Sequence, residues 1–299
     1  MKFAAFIMTY ERPQLILDTI SKLLEQTLPP VKIVVIDNSE TTLTQIRLEE
    51  FNSPIVVYHR VGYNSGPSGA AAIALKMLAD EGYDWIYWGD DDDPPQHSRI
   101  FEQLLDLAQS LPYCGSVGCV GHFFDPKKGI INRVPNIQLQ GKGHIEVDTI
   151  AGGMTKIVNG KMIREYDILP EKEFFFGFED LDIDLKIQKA GFHLYVDKEI
   201  YLNGRIKSGK INLHVRKINK PTLQTLWREY YSIRNLMYIF WRNKLYSAFL
   251  RILVVKSLKM VFNFRYSFAI GCYTTKITLL AFAHFFQGKM GLRVKPLKK

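Results

Sequence analysis

The most distinctive chemical feature of the sequence is a run of four aspartates at residues 90–93, directly after the apolar segment 85–88. Four neighbouring carboxylates repel one another unless a cation neutralises them. Alternate members such as Asp90 and Asp92 can turn to one side and together bind a hard divalent ion. A solvated acidic turn is the alternative, but an apolar strand seldom leads straight into one. The run therefore favours a metal site that also receives a phosphate ligand.

A second acidic pair, Glu179 and Asp180, follows the segment Phe-Phe-Phe-Gly-Phe at residues 174–178. Acidic side chains at the start of a helix are stabilised by the helix dipole whatever their function. A carboxylate beside these rings is also partly desolvated, which raises its pKa and suits a general base. The residues alone leave both interpretations open.

A third candidate is the small-residue segment 62–72, in which Gly66 and Gly69 precede a run of alanines. Such a loop at the start of a helix lets backbone N–H groups approach a ligand closely. It is not a P-loop, because no Gly-Lys-Ser/Thr follows, and it is not a GxGxxG motif. By itself it predicts only a helix N-terminus.

Strand-like and helix-like segments alternate in the first half, which predicts a parallel sheet with helices on its faces. Three predicted strands end on polar residues: Thr9, Asp37 and the aspartates of residues 90–93. Ligands of open α/β sheets bind beyond the carboxyl ends of the strands, so these residues should converge on one crevice. The predicted strands are 3–8, 31–36, 55–58, 85–88, 116–122 and 194–196. A loop or hairpin region is predicted over residues 125–147. The predicted helices are 13–26, 69–78, 98–110, 179–190, 222–242, 245–262 and 266–287.

Charge is distributed unevenly along the 299 residues. Residues 1–204 hold 19 Lys and Arg against 29 Asp and Glu, whereas residues 205–299 hold 20 against Glu229 alone. The basic part is crowded with aliphatic and aromatic residues, which indicates an anionic membrane surface rather than nucleic acid. We expect its helices to lie in the headgroup plane, with basic residues at positions 251, 256, 259, 265 and 276.

Cysteine usage and apolar stretches constrain the compartment. Cys114, Cys119 and Cys272 form neither a CxxC motif nor a zinc-ligand spacing, so a reducing, cytosolic compartment fits best. Residues 1–8 meet polar residues at once, which predicts a buried strand rather than a signal peptide. The longest uncharged tail stretches, 266–275 and 277–288, are shorter than the roughly 20 residues of a spanning helix. Monotopic attachment is therefore expected rather than a span.

Together these segments resemble the family 2 glycosyltransferases, inverting enzymes of GT-A fold that transfer a sugar from a nucleotide-sugar. The resemblance covers roughly residues 2–240 and rests on motifs in a fixed order: IMTYERP at 7–13, VIDNS at 35–39, NSG at 64–66, the aspartates as DxD, and the Glu-Asp pair at 179–180. Residues 227–238 are similar to the YYxxRN helix of bacterial rhamnosyl- and galactofuranosyltransferase-like members. In that helix, Arg234 either faces a phosphate or is buried in an ordinary aromatic core.

The resemblance implies an α/β fold of GT-A type, a Rossmann-like mixed sheet flanked by helices, with a basic amphipathic helical extension at the C-terminus. Residues 1–220 would form the catalytic domain, with nucleotide-sugar binding in about 1–122 and the acceptor side in about 123–220. Residues 221–299 would form a membrane-associating region.

The resemblance also assigns roles to the matching residues. Those implied to bind the nucleotide-sugar are Thr9, Tyr10, Arg12, Asp37, Asn64, Gly66, Asp90 and Asp91. In this assignment Asp37 accepts a hydrogen bond from the nucleotide base. Those implied to hold Mg²⁺ or Mn²⁺ are Asp90, Asp92 and His214, with Asp91 and Asp93 as the other register of the aspartate pair. His214 also fits a strand with one exposed imidazole. Asp180 would be the catalytic base, and Glu179, Gly152 and Gly153 would lie on the acceptor side.

The implied activity is transfer of a sugar from a UDP- or dTDP-sugar to a hydroxyl of a lipid-linked glycan or glycolipid in cell-surface polysaccharide synthesis. The chain would act at the cytoplasmic face of the plasma membrane as a peripheral or monotopic protein, without nucleic acid, and a homo-oligomer is compatible with this. Two alternatives stay open: a nucleotidyltransferase of similar fold, and a non-catalytic membrane-associated scaffold. A nucleotidyltransferase usually has a Gly-rich basic loop after its first strand, where this chain has Thr9 to Pro13.

Overall fold

The computed structural model describes residues 1–211 and 221–295 and shows an α/β core followed by three long helices. The strands are β1 Phe3–Thr9, β2 Ile33–Asp37, β3 Val56–Arg60, β4 Trp85–Asp90, β5 Cys114–Gly118, β6 Gly121–Asp125, β7 Ile130–Arg133, β8 His144–Val147, β9 Thr149–Ile150, β10 Lys156–Asn159 and β11 His193–Asp197. The helices are α1 Pro13–Leu24, α2 Leu43–Phe51, α3 Gly66–Asp80, α4 Ile100–Ser110, α5 Gly160–Tyr166, α6 Glu179–Lys189, α7 Lys198–Lys207, α8 Leu223–Arg242, α9 Tyr246–Phe262 and α10 Phe268–Phe286.

Eight strands form the main sheet in the order β3-β2-β1-β4-β10-β5-β11-β8. The first four are mutually parallel, while β10 runs antiparallel to both β4 and β5. Every residue of β1 is buried, as expected for a central strand with helices on both faces. A second sheet of three strands, in the order β7-β6-β9, lies beside it. The expected mixed sheet flanked by helices is confirmed.

Both faces of the main sheet are covered by apolar helix surfaces. One face packs against α3, whose buried alanines let the helix approach the sheet closely, and the other packs against α1 and α4. A third apolar cluster joins α8, α9 and α10 to the aromatic segment before α6, through Phe174, Phe175 and Leu181. The apolar core therefore continues across the boundary expected near residue 220, which itself stays a prediction.

The structure corrects one predicted element and adds others. Residues 116–122 were expected to form one strand, but β5 and β6 belong to different sheets, because the chain leaves the main sheet after Gly118 and enters the small one at Gly121. Helices α2, α5 and α7 and strand β10 were not predicted. Each is short, and neither apolar periodicity nor a motif marks them in the sequence.

By length and composition alone, one helix of the described chain, α10, is apolar enough to cross a membrane. Its most apolar window has a mean hydropathy of 1.2, and 28% of that window is buried inside the protein. Because α10 also packs against α8 and α9, its composition alone does not distinguish a span from a core helix.

Candidate active site

The three polar strand ends that the sequence singled out lie side by side. Thr9 is the register partner of Asp37 in the β1–β2 pair, and Met8 is the partner of Asp90 in the β1–β4 pair. Thr9 Oγ1 donates a hydrogen bond of 2.6 Å to Asp91 Oδ2. The predicted convergence at the carboxyl edge of the sheet is thus present in the fold.

The aspartates of the run point in different directions. Asp91 is only 2% exposed, accepts a hydrogen bond from Thr9, and forms a salt bridge with Arg12, whose Nη1 lies 3.0 Å from Asp91 Oδ1. Its backbone carbonyl accepts from Thr19 Oγ1 at 2.7 Å. Asp92, by contrast, has a 53% exposed side chain whose Oδ2 lies 2.6 Å from Arg12. Arg12 therefore bridges an inward and an outward carboxylate.

Asp90 lies against the turn that contains Gly152 and Gly153. A Cβ atom at Gly153 would stand 2.4 Å from Asp90 Oδ2, so a larger residue at this position would displace the Asp90 carboxylate. Burial, reinforced by the charges of the three neighbouring aspartates, raises the pKa of Asp90 to about 7. The sequence placed this Gly-Gly turn on the acceptor side, and the structure brings it into contact with the aspartate run.

The donor set at this edge suits a hard divalent cation. Within residues 1–211 and 221–295, no group of three His, Cys, Asp or Glu side chains is arranged to hold a metal. His214, the expected third ligand, lies outside the described residues. Asp90 and Asp92 nevertheless supply carboxylate oxygens, the ligands that Mg²⁺ and Mn²⁺ prefer. A bound cation would also relieve the repulsion that raises the pKa of Asp90, so these residues fit such an ion.

Asp37 lies at the bottom of the crevice and is fully buried. Its Oδ2 accepts from Tyr58 Oη at 2.9 Å and its Oδ1 from the backbone N–H of Ser39 at 2.8 Å. Burial, together with this hydrogen bond to Asp37, raises the pKa of Tyr58 to about 12. Tyr10 is exposed at the adjoining end of β1. These contacts fix the Asp37 carboxylate in one orientation.

The small-residue loop before α3 is held by Asn38 and Asn64. The Oδ1 atom of Asn38 accepts from both the backbone N–H and the hydroxyl of Ser65, at 3.1 and 2.8 Å, and Asn64 Oδ1 accepts from the Gly66 N–H at 3.0 Å. Gly66 has a φ of +71°, and a Cβ there would stand 1.9 Å from the carbonyl oxygen of Phe175. Glycine is thus required by contact with the aromatic segment, which sequence reasoning had not anticipated.

The acidic pair at the start of α6 follows a strained backbone. Phe175 and Phe178 both have positive φ angles, +65° and +69°, which non-glycine residues rarely adopt. Glu179 Oε2 is buried and accepts no hydrogen bond within the described chain. Burial, with the charge of Asp180 adding to it, raises the pKa of Glu179. Asp180 is half-buried, and its Oδ1 accepts from the Leu181 N–H at 2.7 Å.

One comparison decides the family. The family model described as glycosyl transferase family 2 matches residues 4–158, which include the strand ends, the small-residue loop and the Gly-Gly turn. This chain belongs to glycosyl transferase family 2. Membership of this family bears directly on the choice between enzyme classes that the sequence left open.

Known relatives agree with this assignment. Galactofuranosyltransferase GlfT1 of Mycobacterium tuberculosis is 23% identical over 200 residues, and GlfT1 of Mycolicibacterium smegmatis is 21% identical over 199 residues. These matches cover 62% of this chain but only 64% and 65% of the relatives, so the chain matches less than two thirds of their length.

Solved structures confirm the GT-A fold. TarS 1-349 of S. aureus in complex with UDP-GlcNAc is 14% identical with a TM-score of 0.55, and the match covers 96% of this chain and 81% of that one. The mannosyltransferase PcManGT from Pyrobaculum calidifontis, in complex with GDP-Man and Mn²⁺, is 13% identical with a TM-score of 0.55, covering 96% and 88%.

Two further carboxylates of α6 support the candidate site of this family 2 member. Asp184 is fully buried and accepts from Lys156 Nζ at 2.6 Å, from Thr149 Oγ1 at 2.9 Å and from the Ile150 N–H at 2.8 Å. It therefore ties α6 to both ends of the segment that carries the Gly-Gly turn. Asp182 forms a salt bridge with Lys186 and accepts hydrogen bonds from the backbone N–H of Glu171 and from Arg242 of α8. The sequence had not assigned these contacts.

Helix α8 donates several hydrogen bonds to the segment that leads into α6. Asn235 Nδ2 donates to the carbonyls of Phe174, Phe176 and Gly177 at 3.2, 3.0 and 2.9 Å. Arg234 is fully buried and donates to the Phe174 carbonyl at 2.8 Å and to a carbonyl in the C-terminal segment at 2.9 Å. Of the two interpretations of Arg234, the buried core residue is correct and the phosphate ligand is wrong, because backbone carbonyls occupy its guanidinium.

The basic residues of the tail are only partly available to an external surface. Lys256 and Lys259 both bind Glu229, the latter at 2.9 Å, so these two charges are directed into the helix bundle. Arg251 donates to the carbonyl of Lys128. Three of the five basic residues expected to face headgroups, Arg251, Lys256 and Lys259, therefore have partners inside the protein.

Proposed function

We propose that this glycosyltransferase moves a sugar from a UDP- or dTDP-sugar to a hydroxyl of a lipid-linked glycan in cell-surface polysaccharide synthesis, with inversion at the anomeric carbon. The observation that supports the proposal best is the placement of the aspartate run beside Thr9 and Asp37 at one edge of the sheet. The relatives named as galactofuranosyltransferases and the structural neighbours bound to UDP-GlcNAc and GDP-Man agree with a nucleotide-sugar donor.

In this proposal Asp90 and Asp92 hold Mg²⁺ or Mn²⁺. Their register is favoured over that of Asp91 and Asp93 because Asp91 is only 2% exposed and already accepts a hydrogen bond from Thr9 inside the protein. The bound ion would neutralise the negative charge that develops on the departing nucleoside diphosphate. Arg12, which now bridges two of these carboxylates, is also free to turn toward a phosphate, because half of its side chain is exposed.

Donor recognition falls to the crevice between β1 and β2. Tyr58 and Ser39 orient the carboxylate of Asp37. Because Asp37 is fully buried, the residues that cover it must move before the carboxylate can accept hydrogen bonds from the N–H groups of the nucleotide base. Thr9, Tyr10 and the loop of Asn64 and Gly66 border the same crevice. Because Gly66 packs against Phe175, this loop is in direct contact with the aromatic segment that precedes Asp180.

Asp180 is the proposed base. It removes the proton of the acceptor hydroxyl while that oxygen attacks the anomeric carbon from the face opposite the leaving group, and the bond to the diphosphate breaks. A positioned base contributes about 10² to 10⁴ in rate. Glu179, whose raised pKa favours its protonated form, can donate a hydrogen bond to the acceptor beside it.

Attachment to the membrane is proposed through α9 and α10. Large apolar side chains are exposed along both helices. On α9 most of them recur every three or four residues, so most share one side of the helix. The exposed residues are Tyr246, Leu250, Val254, Val255, Leu258, Val261 and Phe262 on α9, and Phe268, Leu279 and Phe286 on α10. In this proposal residues 1–220 are catalytic and residues 221–299 associate with the cytoplasmic leaflet, where a lipid-linked acceptor resides.

The donor half of the proposal is tested by thermal denaturation of the full chain with UDP, dTDP, GDP or CMP, each with and without Mn²⁺. We expect UDP or dTDP to raise the melting temperature in the presence of Mn²⁺ only. Absence of a shift with all four nucleotides would contradict the nucleotide-sugar assignment, and a shift with GDP alone would contradict the choice of base.

The membrane half is tested by sedimentation with anionic vesicles. Full-length protein should pellet with them at low salt and be released only partly at high salt, because salt screens the basic residues but not buried apolar area. Leu258→Glu should weaken binding, and Ile46→Glu, at a similarly exposed position on α2, should not. Protein that stays in the supernatant at low salt would rule out the attachment.

A further inference from the structure

A group of basic side chains lies outside the aspartate run and is used by none of the steps above. His122 on β6 and Arg133 on β7 face each other as register partners in the small sheet. Arg205 on α7 reaches the same sheet, where its Nη1 donates to the carbonyl of Val134 at 2.8 Å and to Asn136 Oδ1 at 2.6 Å. We call these three residues the basic cluster.

The basic cluster is held in place from two directions. Tyr201 on α7 donates from its hydroxyl to the carbonyl of Gly121 at 2.7 Å, next to His122, and its ring lies 4.2 Å from Arg205 Cζ. Arg133 donates to the carbonyl of Lys210, which fixes the chain that leaves α7. The small sheet and α7 therefore form one support, and the charges on it cannot separate to relieve repulsion.

The positive charges of the cluster lack counterions within the described chain. Arg205 is 4% exposed, and its Nε and Nη2 have no hydrogen-bond partner in residues 1–211 and 221–295. No salt bridge to His122, Arg133 or Arg205 exists there. Burial and the two arginines lower the pKa of His122, against the opposing charge of Asp180. The lowered pKa favours neutral His122, so Arg133 and Arg205 carry the positive charge, and two like charges held close together favour an anionic ligand.

We propose that the basic cluster of His122, Arg133 and Arg205 is an anion subsite for a phosphate group carried by the acceptor. Arginine presents several N–H donors to phosphate oxygens, and half-buried Arg133 is the cluster member best placed to do so. Arg205, stacked on Tyr201, supplies positive charge from beneath. The subsite lies on the acceptor side because His122 is the register partner of Thr149, in the strand that leads into the Gly-Gly turn. This inference rests on the proposed function for the identity of the acceptor.

The subsite is tested by calorimetric titration of the full chain with inorganic pyrophosphate in EDTA, which removes the divalent ion that the donor diphosphate requires. We expect Arg133→Gln to weaken pyrophosphate binding at least tenfold and Arg133→Lys to retain most of it. Lys128→Gln removes the same charge from the exposed turn of the same hairpin and should leave binding unchanged. Equal affinity of wild type and Arg133→Gln would overturn the proposal.

A parallel measurement separates this inference from the proposed function. UDP with Mn²⁺ should stabilise Arg133→Gln as much as wild type, and a parallel loss of both ligands would overturn the subsite by assigning the cluster to the donor. If UDP fails to bind wild type, the proposed function fails while the pyrophosphate result still decides the subsite. Replacing pyrophosphate by farnesyl diphosphate distinguishes the sources of the phosphate: tighter binding supports a lipid-linked acceptor, and equal binding supports a soluble phosphate ester.

Discussion

Removal of the buried Lys156 side chain should be among the most damaging single changes outside the reacting groups. Lys156 and Asp184 are both 0% exposed, and their charged atoms lie 2.6 Å apart. Lys156→Met preserves the length of the side chain but leaves Asp184 with only the Thr149 hydroxyl and the Ile150 N–H as partners. The variant therefore carries an uncompensated carboxylate in the core.

The size of the effect follows from the burial and from the titration of Asp184. Breaking a buried ion pair by removing one partner typically costs about 3–5 kcal/mol. Burial already raises the pKa of Asp184 to about 6, although Lys156 lowers it. Without the lysine the pKa of Asp184 rises further, so Asp184 becomes protonated in the variant at neutral pH. Protonation removes the unpaired charge, and the loss in free energy of unfolding therefore stays near the lower end of this range, about 3 kcal/mol.

This reasoning fixes the sign of the pH dependence. A buried acid with a raised pKa in the folded state binds its proton more tightly there than in the unfolded chain. The free energy of unfolding of the protein therefore falls as pH rises. Lys156→Met should therefore be more strongly destabilised at pH 8 than at pH 5.5. Lys156→Met combined with Asp184→Asn should recover part of the loss, because the amide remains neutral at both values.

The assay is equilibrium unfolding in urea at both pH values. The matched control is Lys76→Met, which breaks an exposed pair with Asp80 on α3 and should not measurably change the free energy of unfolding. A variant Lys156→Met as stable as wild type, or one more destabilised at pH 5.5 than at pH 8, would refute the argument.

Three further changes test the site and its support. Asp92→Ala should abolish transfer in a folded protein, because it removes one proposed metal ligand from a self-repelling group; metal-dependent activity near wild type would contradict this. Asp180→Asn should keep UDP affinity and lower turnover by about 10² to 10⁴; an equal fall in affinity would place Asp180 in the donor site. Ion pairs with Lys256 and Lys259 lower the pKa of Glu229 despite its burial. Glu229→Gln should therefore cost about 1–3 kcal/mol at pH 7 and less below pH 4.5, since wild type loses this contribution as the carboxylate becomes protonated; urea unfolding at both pH values measures the difference.

Long-range features of the core were predictable because they have periodic or motif signatures. The strand ends at Thr9, Asp37 and Asp90 followed from apolar segments that stop at polar residues, and parallel strands bring such ends together. The tail helices followed from sustained apolar periodicity. Short elements such as α5 and β10 carry too few residues for a period to be visible, and tertiary packing determines them.

The site was less predictable wherever one segment depends on another that is distant in sequence. Gly66 was assigned to close approach by a ligand, but its φ and its missing Cβ serve a contact with Phe175, more than 100 positions away. The desolvation expected beside the phenylalanines raises the pKa of Glu179, the neighbour of the expected base. Neither outcome has a local signal, because each depends on which backbone packs against the residue.

The candidate site also depends on helix α8, which belongs to the C-terminal region. The segment before the Glu-Asp pair holds two non-glycine residues at positive φ, which costs about 1–3 kcal/mol for each unless the surroundings impose it. Asn235 imposes it through three hydrogen bonds to the carbonyls of that segment, and Arg234 adds a fourth. Asn235 thus positions Glu179 and Asp180 without touching the reacting groups. A helix that the sequence places in the membrane-associating region therefore orients the proposed base, because Asn235 and Arg234 bind the carbonyls of the segment that leads directly into Glu179 and Asp180.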